Sequence, residues 1–157
     1  MKQIHPSVRY ATIIVLLHGL INIFHGLAHF ENGIWLSLFG NAYVTIVILL
    51  APLLAILLLY TRWQRPGAWL LTLSMLGSLI FGVWYHFLVP GPDNVAQVPP
   101  GAWQLPFLIT SILLALLEAI GIASGIWCLS SSHSVQAAPH QSAFGGSSGR
   151  GTPDSRA

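Results

Sequence analysis

The chain has 157 residues and a mass of 17.0 kDa, which leaves room for one domain, or one small bundle with a tail. Hydrophobic residues make up 54% of it and charged residues only 6%, against roughly 25% charged in an ordinary soluble domain. Six Lys/Arg and four Asp/Glu cannot cover a soluble fold of this size, which excludes a cytosolic globular enzyme, a nucleic-acid binder and a disordered protein. The net charge of +2 and the pI near 9.0 come from scattered cations, not from a basic patch. A single cysteine, Cys128, rules out an intramolecular disulfide and a Cys-based zinc site.

In chain order, long apolar runs occupy Tyr10–Phe30, Tyr43–Thr61, Gly67–Val89 and Leu105–Leu129. Each is near or above the ~20 residues that cross a hydrocarbon core. Backbone in lipid must satisfy its own hydrogen bonds, so these runs are expected to be helices. The expected fold is an all-α, polytopic four-helix membrane bundle over residues 1–129. Pro66 and Pro106 stand where helices begin, and Pro52, inside the second run, is expected to kink it. The loop from Pro90 to Gln104 is long and proline-rich, and is expected to lie ordered over the bundle mouth. From Ser130 the composition turns to Ser, Gly, Ala and Pro without periodicity, which reads as a disordered tail over residues 130–157.

Lys2 and Arg9 precede the first span, Arg62 and Arg65 lie between the second and third, and Arg150 and Arg156 follow the fourth. The remaining two loops carry no Lys or Arg, so the positive-inside rule places both termini in the cytoplasm. The aromatic belts agree: Tyr10, Tyr60, Trp63, Trp69 and Trp127 fall at inner ends, and Trp35, Tyr43, Trp84, Tyr85 and Trp103 at outer ends. The expected location is the lipid bilayer of a bacterial inner membrane.

Span one carries His18, Asn22, His25 and His29 at intervals of four, three and four, which puts all four on one helix face. Polar groups in a membrane are costly and face protein or water, so this stripe faces the bundle interior. Gly19 and Gly26 would form a small-residue seam beside it. A rise of ~1.5 Å per residue sets two levels. His25, His29 and His86 of span three fall near the outer face, while His18 and Glu118 of span four fall lower. Glu31 and Asp93 stand nearby in sequence as outer carboxylates.

For the outer cluster three readings stand. Two histidines at i and i+4 with a third from a facing helix suit a transition metal such as copper or zinc. His86 opposite His25 or His29 would instead supply two axial ligands to haem. The bland alternative is half-hydrated histidines bonded to loops. For the lower level, His18, Asn22 and Glu118 form either a proton relay or a buried polar pair that fixes packing. Gly121-x-x-x-Gly125 and Ser74, Ser78 and Gly82 are small-residue faces for close helix approach.

Two stretches resemble the DoxX-like family of small four-helix bacterial membrane proteins. One is Leu16-Leu-His18-Gly19-Leu20; the other runs from Thr61 through Arg62, Arg65, Pro66 and Gly77 to His86. The resemblance implies the four-helix fold and a loose association with membrane redox or thiol-stress systems. It carries over no residue roles beyond His18 and His86.

No nucleophile–base pair, phosphate loop or paired catalytic carboxylates occur, so the chain is read as an auxiliary membrane protein with no catalytic constellation of its own. The expectation is a redox-linked subunit or cofactor-binding anchor, either a homo-oligomer or part of a larger membrane complex. One alternative is a metal-handling protein or small transporter with an outer histidine site. Another is a purely structural subunit.

Overall fold

A computed structural model of the chain describes residues 4–136, with side chains through Ser131. Four helices dominate it: α1 (Pro6–Glu31), α2 (Leu38–Leu59), α3 (Gln64–Leu88) and α4 (Gln104–Gln136). By length and composition all four are able to cross a bilayer, and no strand occurs among the described residues. The chain is therefore an all-helical protein with the makings of an integral membrane bundle.

Each helix starts ahead of its apolar run, because hydropathy marks the hydrocarbon and not the capping turns. α1 starts at Pro6, whose missing N–H costs nothing in the first turn, and His5 Nδ1 accepts from the Ser7 N–H at 3.3 Å. It ends in a Schellman turn at Gly33 (φ 68°), where the Ile34 and Gly33 N–H groups donate to the carbonyls of His29 and Phe30 at 2.9 and 3.0 Å. α2 begins at Leu38 because the Ser37 hydroxyl caps it, accepting from the Gly40 N–H at 3.1 Å. α4 runs on beyond Ser130 to Gln136, so the tail boundary drawn from composition falls too early. The Ser130 and Ser131 hydroxyls bond back to the Trp127 carbonyl, which lets a serine run continue a helix. The rest of the expected tail, residues 137–157, lies outside the described residues.

The disturbance expected at Pro52 takes the form of a widened turn. Residues Val44–Leu50 are π-helical, and the Ala51 N–H reaches Ile46, five residues back. Widening just ahead of the proline relieves the clash its ring would make with the carbonyl four residues earlier.

Consecutive helices run antiparallel. α4 packs broadly on both α1 and α3, α2 packs on α3, and α2 meets α1 only narrowly. At the end carrying Arg9, Arg62 and Arg65, which we call the arginine end, Val8, Ala11, Val15, Ala55, Leu59, Ala68, Leu71, Met75 and Cys128 form a dry apolar core. A second, smaller cluster of Ala28, Ile34, Val98 and Phe107 closes the opposite, histidine end.

Glycine sets the spacing of the first core. A Cβ on Gly121 would lie 2.8 Å from Met75 Cγ, and one on Gly67 would lie 3.0 Å from the Ala55 carbonyl oxygen. Gly19 and Gly26 behave differently from the seam expected of them. Nothing lies within 4 Å of a Cβ at either, so they set no helix–helix distance within this chain.

Candidate functional site

Three histidines from two helices converge at the histidine end. His25 and His29 sit one turn apart on α1, and the Schellman turn after α1 fixes the last turn that carries His29. His86 lies in a second π-helical stretch, Trp84–Leu88, closed by the Val89 N–H donating to the Trp84 carbonyl at 2.9 Å. One extra residue per turn re-aims the side chains it carries, and such widened turns cluster at functional sites. His25 Nε2 lies 3.1 Å from His86 Nε2 and 3.2 Å from His29 Nε2. One ligand atom from each histidine falls within 4.8 Å of the other two.

The surroundings decide where the ring protons sit. The Thr110 hydroxyl donates to the Pro106 carbonyl at 2.8 Å, so its oxygen accepts from His25 Nδ1–H, also at 2.8 Å. His86 Nδ1–H donates to the Asp93 carbonyl oxygen at 3.0 Å, with the Asp93 carboxylate 3.1 Å away. Both rings thus turn bare Nε2 lone pairs toward each other at 3.1 Å. That arrangement is repulsive until a positive centre stands between them. Anchoring the outer N–H to a hydroxyl, carbonyl or carboxylate is how proteins orient histidine toward a metal. A tetrahedral ion with bonds of ~2.0–2.1 Å sets its ligand nitrogens roughly 3.3–3.4 Å apart, close to the 3.1 and 3.2 Å that separate His25 Nε2 from His86 and His29.

Asp93 completes the group. It is 7% exposed, its Oδ1 lies 3.3 Å from His29 Nε2, and neither carboxylate oxygen has a well-aligned donor. The short contacts to His29 and His86 are close in distance but poor in angle, so Asp93 is near both rings without being satisfied by either. A buried carboxylate in that state has unused capacity for a cation. The loop after α3 brings it in: the Val95 N–H donates to the His86 carbonyl at 3.0 Å, and the Asn94 side chain donates to the Val89 carbonyl at 3.0 Å. Glu31 by contrast is exposed on the surface.

Phe107 forms the wall, its ring centroid 5.0 Å from those of both His25 and His29 and 5.4 Å from that of His86. Neither Phe107 nor Thr110 stood out in the sequence. Their three-residue spacing at the depth of His25 on span four is the signal that points to them.

At the lower level the structure sets His18 Nε2 3.3 Å from Glu118 Oε1, both residues nearly inaccessible. The Asn22 amide donates to the His18 carbonyl at 3.0 Å, and its nitrogen lies 3.1 Å from His18 Nε2. A cavity of about 340 Å³ joins the levels, reaching from Asn22 and Glu118 to His25, His29 and His86.

No family model matches the chain, and neither a curated protein nor a solved structure is similar to it.

Proposed function

We propose that this is an auxiliary membrane protein whose histidine end binds one divalent transition-metal ion, of the zinc or copper class, through His25, His29 and His86. One observation carries the reading: three Nε2 atoms converge, with the outer N–H groups of His25 and His86 anchored. Imidazole ligands suit zinc and copper, and three of them leave a coordination position open. Asp93 stands beside His86 and His29 and balances the ion's charge, so the fourth position stays open. Haem fits less well, since His29 and Phe107 crowd the space beside the His25–His86 pair that a macrocycle would need.

The scattered cations put the arginine end in the cytoplasm and the metal site at the outer face of a bacterial inner membrane. Metal handling by binding is favoured over transport across the bilayer. The polar stripe stops at His18, and the dry core from Val8 to Cys128 lies between it and the inner face. The sequence resemblance to the DoxX-like family is what supports a setting beside membrane redox systems, where a partner subunit would carry out chemistry on a substrate.

The test is elemental analysis of the chain purified in mild detergent, after exposure to zinc or copper. About one ion per chain is expected, falling to near zero in His25→Ala and His86→Ala while both variants stay helical. Binding should weaken as pH falls, because protons compete with the ion for the same lone pairs. Full metal content in both variants would overturn the assignment.

A further inference from the structure

The cavity under the three histidines has a chemistry of its own. We infer that it takes a neutral, lipid-soluble molecule with a single oxygen head group on an alkyl body, the class of a long-chain alcohol. The oxygen fills the metal's open position and the body lies between α1 and α2. The inference deepens the metal reading and rests on it.

Four observations point this way. First, the cavity's about 340 Å³ falls at the small end of the ~300–1,000 Å³ typical of ligand sites. Second, its floor is polar, with His25, His86, Glu118 and Asn22, while Val44 and Ile48 of α2 supply an apolar flank.

Third, α1 and α2 meet at the arginine end, where Thr12 and Tyr60 hydroxyls lie 3.0 Å apart and Val15 shares a core with Ala55, and the gap left between them there is lined almost wholly by apolar side chains. Toward the histidine end both helices line the cavity instead. Its rim is Phe30 and Trp35, 61% and 73% exposed with ring centroids 5.8 Å apart. A gap between two membrane helices, edged by aromatics, opens toward the outer half of the bilayer.

Fourth, charge selects the head group. Arg9, Arg62 and Arg65 all lie at the opposite end, while Glu118 and Asp93 both line the cavity. The ion's two positive charges are already matched by the Glu118 and Asp93 carboxylates, so a phosphate or carboxylate head would add negative charge with no basic residue other than histidine to meet it. A neutral oxygen is repelled by neither, and donates to the free edge of Glu118 when it carries a proton. Glu118 Oε1 is engaged by His18, and Oε2 lies on the Gly82 side, 3.8 Å from where a Cβ would stand. Lipid tails are as apolar as the flank, so selectivity comes from the head group and depends little on chain length.

The experiment uses the full chain in detergent, loaded with cobalt(II), whose visible absorption reports its ligands. 1-Decanol is the probe and decane the control. Decanol is expected to change the cobalt spectrum saturably, and decane to leave it unchanged. Gly82→Val, which narrows the floor, and Ile48→Trp, which fills the flank, should each raise the half-saturating decanol concentration at least tenfold with cobalt content intact. A wild-type response to decane equal to that of decanol overturns the inference. So does unchanged decanol response in a variant that holds full cobalt. A chain that takes no cobalt overturns the metal reading instead. Saturation-transfer NMR with decanol then decides the cavity alone, and absence of transfer overturns that too.

Discussion

At the arginine end α3 approaches α2 and α4 until a methyl group would not fit, whereas at the histidine end the helices part around a polar cavity. The first region holds Gly67, Gly121 and Gly125 against neighbouring helices, with Met75 filling the remaining space at 0% exposure. Its buried hydroxyls on α3 bond within their own helix, Thr72 to the Ala68 carbonyl and Ser74 to that of Leu71, while the exposed Thr12 and Tyr60 hydroxyls meet across α1 and α2. The second region inverts both habits. Its polar groups reach across helices, from His25 to Thr110 and His86 and from His18 to Glu118, and they surround space. Helices in lipid gain little from hydrophobic burial, so association rests on close packing and interhelical polar contacts. This bundle assigns the two means to opposite ends. The packed end supplies rigidity, and the open end can then leave the Asp93 carboxylate unsatisfied, where the proposed ion would bind.

Breaking the packed end should have the largest effect. In Gly125→Val the new side chain would meet the Thr72 side chain, with its Cβ only 3.1 Å from the Thr72 backbone nitrogen and 3.3 Å from the Ala68 carbonyl oxygen. A loss of about 1–3 kcal/mol is expected from overpacking, read as a lower thermal midpoint in detergent. The folded fraction should keep its metal stoichiometry. A variant that folds normally but loses metal would erase the division between the ends.

Next come the groups that orient the histidines. Asp93→Asn keeps the carbonyl that anchors His86 but removes the unpaired carboxylate charge beside the ion, and should weaken metal binding about 10–100-fold. Thr110→Val, which removes the acceptor for His25 Nδ1–H, should weaken it about tenfold. Competition against a chelator of known affinity measures both, and neither should move the thermal midpoint of the metal-free protein by more than a degree or two. An unchanged affinity in both would mean that the rings are positioned without these anchors.

Glu118→Gln should do least. The amide still accepts from His18, so stability should change by less than about 1 kcal/mol and metal affinity by less than twofold. A folded Gln variant that binds metal but loses proton-coupled activity with a partner would move Glu118 from packing to relay.

Much of this was legible in the chain itself. The lengths of the apolar runs set the helices, and the 4-3-4 spacing put His18, Asn22, His25 and His29 on one face, because a helix returns to the same face every 3.6 residues. Rise per residue ranked His86 with His25 and His29, and Glu118 with His18. The π-helical turns were not legible, since nothing in Trp84–Leu88 announces an extra residue per turn and the Pro52 signal specifies no geometry. Gly19 and Gly26 mislead for a related reason: a glycine shows that close approach is possible and not that a helix arrives.

The sequence by itself determined the helical class, the number of crossings, the depth of each polar group and the face of the histidine stripe. All of these follow from one-dimensional quantities: run length, period and rise. Only the tertiary structure decided which way each helix turns about its axis, and with it that His86 meets His25 at 3.1 Å, that Asp93 folds back beneath the loop, and that Phe107 and Thr110 wall the site. Helix rotation in lipid is set by the shapes of neighbouring side chains and not by a hydrophobic face, so it emerges only when all four helices pack together.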